Sequence, residues 1–258
     1  MPAEIITSKD NPWVKQCRLL AQDSAAYRQV GEIWLEGDHL CRALLARHRL
    51  PTAVVVTASH PEIADAWHLP DTVRRVVVAD RLMAWISGLD SPPKVAFRVP
   101  LSAPTGVVPG LPTVILDRLQ DPGNVGSILR SAAAFGFQQV VALKGTVALW
   151  SPKVIRAGMG AHFGLHLSEG ATLHAVQALS IPLVATSSHQ GQWLHEARLP
   201  WPCAWLMGHE GQGVAESLMA QADHHIRIAQ PGGEESLNVA AAAAICLHAS
   251  SQMRSRSC

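Results

Sequence analysis

The chain has 258 residues, 48% of them apolar and 16% charged, with a formal net charge of +1. That balance excludes wholesale disorder and a basic nucleic-acid coat over the whole surface. It leaves room for one large core or two small ones, at about 150 residues per domain. The longest apolar run, Val239–Leu247, has nine residues, mostly Ala, where a membrane span needs roughly 20. The opening MPAEIITSKD carries an acid early and lacks an apolar stretch, so no secretory signal is expected. Five Cys, widely spread and without a CxxC pair, suggest free thiols in a reducing, cytoplasmic compartment. His162 and His166, and His224 with His225, stand close together without a third ligand at metal spacing. No metal is expected.

Asn11-Pro12 opens a predicted helix through about Ala21. A strand at Ile33–Glu36 and a helix from about Asp38 to Arg47 follow. Ala53–Thr57 and Arg75–Ala79 are β-branched runs of strand length. A helix at about Asp80–Ser87 and a strand at Val95–Val99 complete a small α/β or α+β layer. Val99–Pro112 holds four Pro, two Gly and no charge, and reads as a linker. The expected domains are therefore 1–98, a linker at 99–112, and 113–258.

The second domain alternates more regularly. Strands are predicted at Thr113–Leu116, Gln139–Leu143, Phe163–Leu167, Pro182–Ala185, Ala204–Met207 and Ile226–Ile228. Helices are predicted at Ser127–Phe135, opening near Asn124, and at Ser151–Met159, His174–Ala178, Ala215–Ala220 and Leu237–Ser250. Such alternation implies a parallel sheet covered on both faces. Ligands of such sheets bind beyond the carboxyl ends of the strands, which directs attention to the loops after Leu116, Ala185, Met207 and Ile228.

Three of these loops carry chemistry-bearing residues. In Leu116–Arg130 the helix start offers backbone N–H groups as an anion site, with Arg130 one turn inside. An N-capping Asn and a surface Arg would account for the same residues. Leu206–Val214 holds Gly208, Gly211 and Gly213 around Glu210. Neither a P-loop nor a dinucleotide fingerprint fits that spacing, and a plain tight turn would also account for it. In Ile226–Ala240 a strand breaks at Pro231-Gly232-Gly233, and Ser236-Leu237-Asn238 opens an Ala-rich helix. Ser236 alone could be an N-cap.

Taken in order, the three segments resemble the motifs of the SpoU (TrmH-like) family of RNA ribose 2′-O-methyltransferases, within the SPOUT class. They are Asn124-Val-Gly126-Ser-Ile-Leu-Arg130, then Gly208-His-Glu210-Gly211-Gln-Gly213, then Pro231 with Ser236-Leu237-Asn238-Val239. The likeness runs from Thr113 to Ser250. The N-terminal part resembles that family's substrate-binding domain through Ile6-Thr-Ser-Lys-Asp-Asn11-Pro-Trp-Val-Lys15 and Leu35-Glu36-Gly37. That domain is similar to ribosomal proteins that bind bent RNA. Departures are His209, where Asn or Ala is frequent, and Gly158, where many members carry Ser. Ser91-Pro-Pro-Lys-Val is a third.

The resemblance implies a parallel α/β domain with a C-terminal trefoil knot, working as a homodimer. It implies S-adenosylmethionine as cofactor, held by backbone groups around Gly208, Ile228 and Leu237 with Thr186 and Gly213 nearby. Arg130 takes the position of the catalytic Arg, as phosphate clamp and oxyanion stabiliser. Asn124, Glu210, Ser236 and Asn238 orient it, the ribose and the phosphate. The implied partner is structured RNA, ribosomal rather than transfer RNA; a tRNA enzyme or a non-catalytic RNA-binding and assembly module is the alternative. Trp13, Trp34, Trp67 and Trp85 are expected in the core rather than stacked on bases.

Overall fold

The structure, a computed structural model, describes residues 4–101, 106–187, 190–232 and 236–254. It divides into two units, 1–103 with 150–163, and 104–149 with 164–258. In the first, β1 (Glu4–Ile6), α1 (Pro12–Gln22), α2 (Tyr27–Val30), β2 (Glu32–Glu36) and α3 (Asp38–Leu45) are followed by β3 (Ala53–Thr57), α4 (Ile63–Ala66), β4 (Arg74–Val78), α5 (Asp80–Ser87) and β5 (Val95–Pro100). The Asn11 side chain accepts the N–H groups of Trp13 at 2.9 Å and Val14 at 3.4 Å, and Pro12 fills the first helical position. This fixes the start of α1. The helix buries Val14, Cys17, Leu20 and Ala21, one stripe of a 3.6-residue repeat. The sheet order is β1-β4-β3-β5-β2, with β4 parallel to β1 and β3, and β5 antiparallel to β3 and β2. β1, α2 and α4 have three or four residues each, too few to register as periodicity. Trp34 is fully buried, whereas Trp13, Trp67 and Trp85 are half-buried beneath Arg74, Arg42 and Arg18 respectively.

The second half of the chain runs β6 (Thr113–Leu116), α6 (Pro122–Ala134), β7 (Gln139–Leu143), α7 (Pro152–Gly158), a 3₁₀ turn at Ala161–Gly164, β8 (His166–Ala171), α8 (Leu173–Gln177), β9 (Leu183–Thr186), β10 (Gln192–Trp193), β11 (Ala204–Met207), α9 (Glu216–Met219), β12 (His224–Arg227) and α10 (Val239–Arg254). Seven strands form one wholly parallel sheet in the order β10-β12-β9-β11-β6-β7-β8. The four loops singled out from the sequence thus follow four neighbouring strands, β12, β9, β11 and β6. One face buries Ile115, Val141, Val176, Leu179, Leu206 and Leu218. On the other, α6 and α10 pack together, and Trp205 of β11 donates its indole N–H to Ser250 of α10 at 2.8 Å. The Ala run forms the start of α10, where small side chains suit close helix packing.

Several boundaries differ from expectation. The strand expected at Phe163–Leu167 starts at His166, because Ala161–Gly164 coils into a 3₁₀ turn after Gly160, whose φ is +87°. The strand expected at Ile226–Ile228 is His224–Arg227. Of the stretch read as linker, Val99 and Pro100 end β5, and residues 102–105 lie outside the described residues. Its second half is fastened to β7, where Gln139 accepts the Val108 N–H at 2.8 Å and donates to the Val108 carbonyl at 3.1 Å.

Helix α7 belongs to the first unit although it lies between β7 and β8 in sequence. Arg156 reaches the Glu36 carboxylate at 3.4 Å, and the Trp34 indole donates to the same group at 3.1 Å. Burial nevertheless pushes the Glu36 carboxyl above its ordinary range. Gly158 has a steric reason to lack a side chain: a Cβ there would collide with the His162 ring, itself buried against Trp150.

Candidate active site

Helix α6 begins earlier than the sequence suggested. Its N-cap is Asp121, whose carboxylate accepts the Asn124 N–H at 2.7 Å, and Pro122 takes the first helical position. Asn124 is therefore not the cap, and its side chain is released for other work. The expected anion site at this helix start is filled by the protein's own carboxylates. Glu210 accepts the N–H groups of Gln120 at 3.4 Å and Asp121 at 3.3 Å.

Helix α10 likewise begins at Val239, not near Ser236. The Asn238 oxygen accepts the N–H groups of Ala240 at 2.9 Å and Ala241 at 3.2 Å. That cap fixes the orientation of the amide, because an amide oxygen accepts and its nitrogen donates. The Asn238 nitrogen therefore faces Asn124 and donates to its oxygen at 2.9 Å. Asn124 in turn has its nitrogen left for Glu210, at 3.2 Å. The three motifs are thus joined by a one-way relay, Asn238 to Asn124 to Glu210. Burial pushes the Glu210 carboxyl up, but hydrogen bonds from its own backbone, Asn124, Asp121 and Gln120 outweigh it and hold the group below the usual carboxylate range.

The turn carrying Glu210 is closed by reciprocal backbone bonds between His209 and Gly213, at 3.0 and 2.8 Å. A side chain at Gly208 would start inside the backbone of Gly213 and Val214, so the turn demands glycine there. Gly213 sits at φ +69°, the left-handed region. Three contacts here escaped the sequence reading. Buried Asp117 accepts the Ala215 N–H at 2.8 Å, and Arg118 bonds both Asp117 and, at 2.9 Å, the Gln212 side chain. Arg118 has φ +59°, a strained conformation for a non-glycine residue. The sequence signal available was an Asp-Arg pair directly after a strand.

The other predicted residues are placed as follows. Arg130 is exposed on the α6 face shared with Gly123, Ser127 and Ala134; among the described residues its side chain has no hydrogen bond or ion pair. Ser236 is exposed, and Leu237 is an uncovered apolar side chain, 40% exposed. Thr186 ends β9 with its hydroxyl 3.4 Å from the Leu206 carbonyl. Gly208 directly follows β11 and Ile228 directly follows β12. Gly233 lies outside the described residues. No group of three metal-binding side chains exists among the described residues.

Residues 112–248 match the model of the SpoU rRNA methylase family. An uncharacterised tRNA/rRNA methyltransferase of Synechocystis is 32% identical over 94% of this chain and 92% of its own. A 23S rRNA guanosine 2′-O-methyltransferase of Bordetella pertussis is 32% identical over 55% of this chain and 59% of its own. The crystal structure of an rRNA methyltransferase from Sinorhizobium meliloti, with bound S-adenosylmethionine, superposes with a TM-score of 0.84. It is 26% identical and the match covers 97% of this chain and 98% of that one. Fold and sequence together define a parallel-sheet α/β methyltransferase of the SPOUT type. The chain belongs to the SpoU rRNA methylase family, and its reaction is S-adenosylmethionine-dependent methylation of RNA.

Proposed function

We propose that this protein methylates a ribose 2′-hydroxyl in structured ribosomal RNA, with Arg130, Asn124, Glu210, Ser236 and Asn238 as its working residues. The observation that carries this is the hydrogen-bonded relay joining Asn238, Asn124 and Glu210 from three separate loops. The cofactor fits the residues present. Thr186, Gly208 and Ile228 lie at the carboxyl ends of adjacent strands, offering backbone donors and acceptors, and Leu237, just ahead of α10, offers uncovered apolar surface. S-adenosylmethionine, when bound, supplies a methyl group made electrophilic by a positively charged sulfur. Gly213 closes the turn that presents the Gly208 peptide.

Arg130, exposed and without a partner among the described residues, is the group to hold a substrate phosphate or a developing oxyanion. Its guanidinium offers a planar fork of donors. Asn124, Glu210 and Asn238 tie their three loops together, and Ser236 is exposed to solvent for the approach of a ribose. Orientation of two reacting groups is itself worth several orders of magnitude in rate.

The finer architecture belongs to the same proposal: an RNA-binding domain at 1–98, a linker at 99–112 and a knotted catalytic domain at 113–258. A homodimer in the cytoplasm completes it. Supporting the dimer, Ala241, Ile245 and His248 form an exposed, largely apolar face on α10. The test is incubation of the full chain with labelled cofactor and ribosomal RNA from cells lacking it, followed by mapping of alkali-resistant positions. Label confined to transfer RNA would favour the second reading, which the tRNA/rRNA naming of the Synechocystis relative keeps in play.

A further inference from the structure

His209 sits between Gly208 and Glu210, where the proposed chemistry assigns it nothing. Its ring is half-buried, and Nδ1 accepts two successive backbone N–H groups, those of Gly211 at 3.0 Å and Gln212 at 3.3 Å. Two donors converging on one nitrogen require that nitrogen to carry a lone pair, so the neutral ring holds its proton on Nε2. These bonds span the same turn that the His209–Gly213 backbone pair closes, and Glu210 is the residue this turn throws toward the β6–α6 loop.

We infer that His209 is a positioning residue of the methyl-transfer site, its neutral imidazole clasping the turn that aims Glu210 at Asn124 and presents the Gly208 peptide. The inference rests on the methyltransferase reading for its consequence and on the turn geometry for its substance. Protonation would place an N–H on Nδ1 against two N–H groups. The clasp would open, and the Asn238–Asn124–Glu210 relay would lose its anchor.

The charged groups around the turn come from two segments. Glu210 lies in the turn itself. Asp117, Arg118 and Asp121 face it from the β6–α6 loop, with Arg118 bonded to Gln212. From the start of α10, the uncharged Asn238 reaches the turn through Asn124. Glu210 is held below the usual carboxylate range by its hydrogen bonds, so it stays ionised through the pH range in which imidazoles titrate. A loss of activity between about pH 8 and pH 5.5 is therefore not its own.

Stereochemistry supplies a non-titrating replacement. The Oδ1 of an Asn, like the Nδ1 of a His, is bonded directly to Cγ and can accept the same N–H groups, as in an Asx turn. The Oε1 of a Gln is one bond too far out.

The experiment uses the 258-residue chain as wild type and as His209→Asn, His209→Gln and His209→Ala. Methyl transfer to ribosomal RNA is measured from about pH 5.5 to pH 8, and cofactor binding by calorimetry. Nitrogen-15 spectra of histidine-labelled protein report the ring tautomer, with His209 identified by its absence from the Asn variant. Wild-type kcat/KM should fall on the acid side by a total of about tenfold, the cost of losing the clasp, and then level off. His209→Ala should lose about tenfold at pH 8, the equivalent of two weak turn hydrogen bonds, and His209→Gln nearly as much. His209→Asn should recover most of that loss and show no acid limb. Cofactor affinity should follow the same order.

A proton on Nδ1 in the neutral ring, an acid limb retained in His209→Asn, or a fully active His209→Ala would each overturn the inference. Absence of transfer to any RNA by the wild type would sink the methyltransferase reading. The tautomer and the calorimetric order of the variants would still decide the clasp.

Discussion

Glu210→Gln tests whether the relay contributes to holding the site together. Glu210 Oε1 accepts from Asp121 and Asn124, and Oε2 accepts from Gln120. A Gln amide can place its oxygen at the first position and keep two donors. Its nitrogen then faces the Gln120 N–H, donor against donor. A hydrogen bond to a charged group contributes about 1.5–3 kcal/mol. Here the carboxylate is exposed and the contacts are long, 3.2–3.4 Å, so solvent screens most of that. One lost contact together with lost charge assistance leaves about 1 kcal/mol at neutral pH. The folded Glu210 carboxyl lies below its ordinary value, so its stabilisation is complete above that value and fades as pH falls through the folded one. The gap between wild type and variant should therefore close as pH drops from about 7 to about 3, because a protonated Glu resembles Gln. With two units in the chain, amide hydrogen exchange of α6 and α10 is the suitable readout, since it isolates local stability. A gap that is absent at pH 7, or unchanged in acid, would refute the relay as a source of stability.

Arg130→Ala should change stability by less than about 0.5 kcal/mol, as at other exposed positions, yet lower turnover by about 10²–10³. Arg130→Lys should rescue it poorly, and tritium transfer to RNA measures all three proteins. Asn238→Asp keeps an N-cap oxygen but loses the donor to Asn124, so helix α10 should survive in circular dichroism while transfer falls. Gly208→Ala drives a Cβ into the Gly213 and Val214 backbone, and calorimetry should find cofactor binding abolished. Ile245→Glu puts a charge on the exposed α10 face and should shift light scattering from dimer to monomer.

Much of the parallel-sheet unit was legible because its strands are buried on both faces. Thr113–Leu116, Val140–Leu143 and Ala204–Met207 are continuous apolar or β-branched runs, and the expected bounds of β6, β7 and β11 match the structure to the residue. The helix starts were less legible, for a common reason. Asp121 and Asn238 cap the helices that the sequence suggested began at Asn124 and near Ser236. In each case several polar residues compete for the cap, and the winner depends on which side chain the tertiary structure employs elsewhere. Asn124 is taken by Glu210 and Asn238, contacts 86 and 114 residues distant in sequence. Local spacing carries no trace of such partners. Gly158 is similar: its need to be glycine depends on the His162 ring, a volume conflict visible only in three dimensions. β10, with two residues on the sheet edge, has no pattern at all.

The dependence among these contacts runs in one direction, and that gives the motif order a physical meaning. Formation of α10 fixes the Asn238 amide by capping. The fixed amide sets which end of Asn124 remains for Glu210. Glu210 can meet Asn124 only while the Gly208–Gly213 turn is closed, and that turn is held by backbone pairing and by the His209 ring. A change at any one step is therefore felt at the next: a cap substitution reorients an amide 114 residues away in sequence, and an open turn leaves both Asn side chains without their anchor. Side chains that fill the core could be exchanged by volume with small effect, but these four cannot be exchanged singly, because each supplies the orientation its neighbour requires. Arg130 stands outside the chain of contacts, its guanidinium without a hydrogen bond or ion pair among the described residues. A frame of mutually oriented polar groups, on loops that include the start of the helix carrying the exposed Arg130, suits the proposed site, which would receive a phosphodiester substrate from solvent.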